Sequence, residues 1–229
     1  MFLNILYTNC EHCLLVYNEY MNLIKEKTYY CKGYKRVAGM DEAGRGAWAG
    51  PLVVGCVVVS QKINLNRLPY RELHLVNDSK QLSPKNRHYL FSIITKLCDW
   101  SVGIVSNQEI DTLGLQPANR LAFVRAWQKL SRPADFAIID YLQNLDISVP
   151  HIGFPKADSL YFSVAAASIV AKEYRDQIMK KLDQSLPKYF FGQHKGYGTN
   201  LHQVVLRRHG VSKYHRISFA PVREILENS

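Results

Sequence analysis

Apolar positions along the 229-residue chain fall into two alternating patterns. "RVAGM" (36–40) and "PLVVGCVVV" (51–59) read as strands. The second is a continuous apolar run with one Gly interruption, as expected of a strand buried on both faces. "WSVGIVS" (100–106), "DFAIIDY" (135–141) and "HIGF" (151–154) add three more short strands. Between them the spacing turns helical. Ser83-Pro84 opens a helix through about Leu97, with Ser as N-cap and Pro in the first turn. Further helices are expected at 107–112 and 117–130, and the strongest over 159–182. Thr199 caps a last one that stops before Gly210.

Strands alternating with helices predict an α/β fold, a sheet flanked by helices with a small helical C-terminal part. Residues 1–34, rich in Tyr and Asn, read as a helical or irregular lead-in, and 35–229 as one domain. No run approaches the ~20 apolar residues of a membrane span, and the N-terminus lacks a basic signal-peptide region. No membrane partner is expected.

Composition adds a partner class. Hydrophobic residues make up 47% and charged residues 21%, which excludes wholesale disorder, while the net charge of +10 favours an anionic partner such as nucleic acid. The charge is unevenly placed. Residues 184–223 contain no Asp or Glu but carry Lys188, Lys195, Arg207, Arg208, Lys213, Arg216 and Arg223, interleaved with His194, His202, His209, His215 and three tyrosines. An acid-free basic segment with aromatics suits a surface that tracks phosphates. Five cysteines, an odd number in a chain of this size, argue against a disulfide framework and read as reduced thiols of a cytoplasmic protein. Cys10 and Cys13 form a lone C-x-x-C without a second pair at zinc spacing.

The chemistry concentrates in "VAGMDEAGRGAWAGPLVVG" (37–55), where Asp41 and Glu42 precede Gly44, Arg45 and Gly46. A dinucleotide loop does not fit. The glycine spacing is wrong, a β-rich run follows where a helix should start, and two acids would repel a pyrophosphate. A hard divalent cation such as Mg²⁺ explains them better. Asp140 ends a strand and Asp158 precedes the long helix, the places where site residues of α/β sheets gather. Two such charges ~4 Å apart repel by roughly 4 kcal/mol at an effective dielectric of 20, so converging carboxylates imply neutralising cations. Taken alone, Asp158 reads as a helix N-cap and Asp140 as a turn cap, and Asp135 and Asp146 have similar loop contexts. In mid-strand, Asp41 and Glu42 would point to opposite faces, so a shared site requires the strand to end or bend there.

These residues carry a resemblance. "VAGMDEAGRGAWAGPLVVGCVV", "NDSKQLSPKNR" (77–87), "IID" (138–140), "KADS", "AAASIVAKEYRD" (165–176), "HKGYGT" (194–199) and "HRISFAPV" (215–222) stand in the order found in bacterial ribonuclease HII, the type 2 ribonuclease H. The resemblance covers roughly residues 35 to 225. It implies a ribonuclease H-like fold with a mixed sheet. It implies that Asp41, Glu42, Asp140 and Asp158 are catalytic and hold two divalent ions, Mg²⁺ or Mn²⁺. It further implies that Gly44, Arg45, Gly46 and Tyr197 recognise the ribonucleotide at an RNA–DNA junction, and that Lys80 contacts phosphate. The expected activity is endonucleolytic cleavage of RNA in RNA–DNA hybrids and at single ribonucleotides embedded in duplex DNA, by a monomer. The chain departs from the family pattern at Tyr141 and Ala157, both usually Gly. Two alternatives stay open at this point: a catalytically silent nucleic-acid binder, and another ribonuclease H-like nuclease such as type HIII.

Overall fold

The computed structural model describes residues 23–77 and 79–227. Five strands form one mixed sheet in the order β3-β2-β1-β4-β5. They are β1 (Arg36–Ala43), β2 (Leu52–Ser60), β3 (Asp99–Val105), β4 (Phe136–Asp140) and β5 (His151–Phe154). The first three are antiparallel, and β4 and β5 join β1 in parallel. The helices are α1 (Ile24–Tyr30), α2 (Pro84–Leu97), α3 (Asn107–Leu113), α4 (Leu115–Gln128), α5 (Phe162–Ser185), α6 (Phe191–His194), α7 (Asn200–His209) and α8 (Ala220–Glu227).

The sheet divides the core. Val53, Val57 and Val59 of β2 pack with Leu90 and Ile94 of α2 and the alanines of α5. Val54, Cys56 and Val58 pack on the other side with Ala122, Phe123 and Ala126 of α4. Burial on both faces is why β2 reads as a continuous apolar run. α5 is buried almost all round over its first half, and small residues let it lie close to the sheet. A Cβ at Gly55 would stand 2.3 Å from the carbonyl oxygen of Ala167, and one at Gly39 would strike the backbone of Ser163. No described helix is long and apolar enough to cross a membrane.

Local signals set the helix starts. Ser83 Oγ accepts from Asn86 N, with Pro84 in the first turn of α2. Ser106 and Glu109 form a reciprocal capping box on α3. Thr199 Oγ1 accepts from His202 N, and α7 stops at Gly210. Two expectations change. The long helix begins at Phe162, and Ala157–Ser159 is instead a 3-10 turn. Asp158 is therefore not its N-cap; the capping position is Tyr161, whose side chain makes no cap bond. The lead-in is also partly built into the fold. On α1, Tyr29 stacks on Phe136 at 4.4 Å, and Glu26 is fully buried against α5. Cys56 and Cys98 are buried free thiols; Cys10 and Cys13 lie outside the described residues.

Candidate active site

The carboxylates meet where the sheet frays. β1 pairs with β4 only as far as Met40↔Ile139, so the next residues in line, Asp41 and Asp140, stand side by side at neighbouring strand ends. β1 itself does not end there. It keeps its antiparallel partner β2 through Glu42↔Val54 and Ala43↔Val53. The expected break in β1 is thus absent, and the loss of β4 opens the site instead. Alternation puts Asp41 on the α5 side with Val37 and Gly39, and Glu42 on the α4 side with Met40. Asp158 comes from the 3-10 turn at the start of the β5–α5 connection.

Each acid has a defined setting. Asp41 Oδ1 accepts from Glu42 N at 2.8 Å, and the Ser168 hydroxyl of α5 also bonds its carboxylate. Ser168 Oγ lies 2.9 Å from Ser79 Oγ, which ties the 77–82 loop to the same point. Asp140 Oδ1 accepts from Ala157 N at 2.7 Å, tethering the strand end to the turn that carries Asp158. Lys80 Nζ reaches Asp158 Oδ2 at 3.2 Å, and Arg45 Nη1 lies 3.5 Å from Glu42 Oε1. Burial pushes the Asp41 carboxyl well above the usual range, and the charges of Glu42 and Asp140 push it further. Glu42 is raised by burial and by Asp140, against the pull of Arg45. Asp140 is raised by burial and by Asp158, against Ala157 N–H and Lys80. Each of these three feels a neighbouring acid, which is the electrostatic mark of a crowded anionic cluster.

The donor chemistry fits a hard divalent cation, because the acids there offer carboxylate oxygens whose repulsion a cation relieves. Among the described residues, however, no three Asp, Glu, His or Cys side chains are drawn into metal-holding geometry.

The glycine loop between β1 and β2 is held from beneath. Gly44 has φ +89, and a Cβ there would collide with Arg175 Nε. This position therefore needs glycine on both counts. At Gly46 nothing lies within 4 Å of a built Cβ, so its outer side is open to an approaching ligand. Arg175 and Arg216 are both fully buried. Arg175 donates to Pro51 O and Ala49 O, and Arg216 to Gly50 O and Arg45 O. Tyr197 sits alongside, half-buried, with Arg175 Cζ 5.2 Å and Lys172 Nζ 5.6 Å from its ring. Its loop is tied to the glycine loop by Trp48 N donating to Gly196 O at 2.7 Å.

The basic segment only partly faces solvent. Lys188, Arg207, Arg208, Lys213 and Arg223 are exposed, but Arg216, His194, His202 and His215 go inward. The histidines form a packed chain rather than phosphate ligands. His202 Nδ1 donates to Tyr197 O, His202 Nε2 lies 3.1 Å from His215 Nε2, and His215 Nδ1 accepts from Ser212 N. Burial lowers His202 to about 3 and His215 to about 4, so both are neutral at ordinary pH.

The family model for ribonuclease HII matches residues 38–222. The chain belongs to the ribonuclease HII family. It is similar to the ribonuclease HII of Dehalococcoides mccartyi, at 43% identity over 89% of this chain and 94% of that protein. It is likewise similar to that of Chlamydia trachomatis, at 43% over 86% and 87%. Among solved structures, ribonuclease H2 of Pyrococcus horikoshii superposes with a TM-score of 0.70 at 32% identity, over 84% of this chain and 98% of that one. The chain is accordingly a ribonuclease H, a hydrolase acting on the RNA of RNA–DNA hybrids. The mixed sheet flanked by helices is the fold of that family.

Proposed function

We propose that this ribonuclease HII is a metal-dependent endonuclease that also cuts at single ribonucleotides embedded in duplex DNA, leaving 3′-hydroxyl and 5′-phosphate ends. The observation that supports this most directly is the placement of Asp41 and Asp140 side by side at the ends of β1 and β4, with Glu42 next in line and Asp140 tied through Ala157 N to the turn that carries Asp158. Asp41, Glu42, Asp140 and Asp158 would hold two divalent ions, Mg²⁺ or Mn²⁺. When bound, such ions supply Lewis-acid chemistry, acidifying an attacking water and neutralising charge at the scissile phosphate.

The protein's own groups supply selectivity. The open side of Gly46 and the backbone of Gly44 and Arg45 let a ribose approach closely, where a 2′-hydroxyl can both donate and accept. Tyr197, held over Arg175, presents a ring to the sugar at the junction. Lys80, largely exposed beside Asp158, would contact a phosphate there. The exposed cations of 184–223 carry the flanking duplex. We read the enzyme as a monomer. A silent binder is disfavoured, because unneutralised carboxylates at the rim would weaken phosphate binding.

The test is a labelled duplex containing one ribonucleotide, with Mg²⁺ or Mn²⁺ and with chelator, beside an all-DNA control. The expected result is scission confined to the ribonucleotide duplex and abolished by chelator. An intact substrate with both metals overturns the proposal. Asp41→Asn should lower turnover by at least about 10²-fold while leaving duplex affinity within about threefold, and a fully active variant would contradict the assignment.

A further inference from the structure

We infer that Tyr141 is a substrate-binding residue, an aromatic platform on which a nucleotide of the bound strand stacks beside the carboxylate cluster. This rests on reading that cluster as the cleavage site. Tyr141 follows Asp140 directly, at the point where β4 ends. Its φ is +61, a left-handed conformation that is unfavourable for a tyrosine. Its amide is fixed by donation to Phe154 O at 2.8 Å, and Leu142 N turns back to Asp140 O at 2.6 Å.

Core packing does not account for the strain, because the residue is 64% exposed. A glycine would make the same turn without a Cβ penalty. The ring is instead directed to the mouth of the site. The Arg45 guanidinium, which also pairs with Glu42, lies 5.8 Å from its centroid. Arg45 and Tyr141 thus form a joined cationic and aromatic surface beside Glu42 and Asp140. Bases stack on exposed aromatic rings and guanidinium planes without regard to sequence, so the ligand class is a nucleobase of the substrate strand, read by its π-face.

The experiment compares Tyr141→Gly, Tyr141→Leu and Tyr141→Phe with the wild type on the one-ribonucleotide duplex. Steady-state kinetics are measured with Mg²⁺, and duplex affinity by fluorescence anisotropy in chelator, where no turnover occurs. Loss of the ring, by Gly or Leu, should raise KM and the dissociation constant by about 5- to 20-fold with kcat within about twofold. The Phe variant should return both to within about twofold of wild type. Tyr141→Gly should melt at or above the wild-type temperature, since it relieves the backbone, which separates lost binding from lost folding. Unchanged affinity and KM in the Gly and Leu variants would overturn the inference, as would a Phe variant as weak as Gly. If the wild type itself fails to cleave, the site assignment falls; if it cleaves and the ring proves dispensable, only the platform falls.

Discussion

Replacing Glu26 by glutamine tests how the lead-in helix is tied to the core. Glu26 is fully buried on α1, and its Oε1 accepts from Ser163 N at 2.8 Å and Ser163 Oγ at 2.9 Å. Ser163 is the second residue of α5, whose own capping position offers no side-chain bond. A carboxyl from 137 residues earlier therefore caps the helix that carries Ser168 and Arg175. Burial pushes the Glu26 carboxyl up to about 7 from 4.5, against the Ser163 donors that favour its charged form. The folded protein thus holds this proton more tightly than the unfolded chain. The stabilisation is complete below about pH 4.5 and is lost as the pH rises through about 7. A gap of about 2.5 pH units corresponds to about 3 kcal/mol, or roughly 6–12 °C in melting temperature for a domain near 200 residues. Glutamine cannot titrate, so the stability difference between Glu26→Gln and wild type should move in favour of the variant by up to that amount between pH 5 and 8. Taking the difference cancels every other titrating group, and the amide's own unmet hydrogen bonds add only a constant. Chemical denaturation at each pH measures it; a difference that stays constant across the range would refute the account.

Two further outcomes follow from packing and from the histidine chain. Gly55→Val should destabilise the fold by about 3 kcal/mol, read by urea denaturation, because the side chain must displace α5 backbone that a Cβ already approaches to 2.3 Å. His202→Gln, which can accept from His215 but loses the donor to Tyr197 O, should lower kcat/KM by about tenfold on the one-ribonucleotide duplex; His202→Asn, which keeps a donor at that position, should lose less, and equal losses would sever the link to Tyr197.

The parts of the fold written in local chemistry were legible in the sequence. Ser83-Pro84 starts α2, and Thr199 and Gly210 bound α7. The apolar run of β2 declares burial on both faces. What could not be read locally depends on who the neighbour is. β1 looks as though it should stop at Met40, but pairing with β2 carries it to Ala43, and only the register with β4 shows why Asp41 and Asp140 stand side by side. Asp158 reads as a cap because acids before helices usually cap them, yet a 3-10 turn intervenes and the capping is done by Glu26. Nothing in the spacing around Glu26 marks it. The basic segment was legible as charge but not as surface, since Arg216 and three histidines are drawn inward by partners elsewhere in the chain.

That inward turn bears on how an anionic site meets an anionic substrate. Among the described residues no carboxylate bonds either buried guanidinium; Arg175 and Arg216 donate instead to the carbonyls of Arg45, Ala49, Gly50 and Pro51. Burial lowers Arg216 to about 9, with Arg175 adding repulsion, so it is still cationic at neutral pH. The amides of residues 47–50 are taken up by carbonyls of the protein, but the Arg45 carbonyl bonded by Arg216 shares its peptide with the Gly46 amide, beside which nothing blocks an approach. Two buried guanidiniums thus lie beneath the loop that follows directly on the carboxylate-bearing end of β1. Under the proposed function, a phosphodiester drawn to the loop would come beside the carboxylates, where its own charge would call for cations. On that proposal the buried arginines would serve the substrate through the backbone they hold, and the carboxylates would admit it once neutralised.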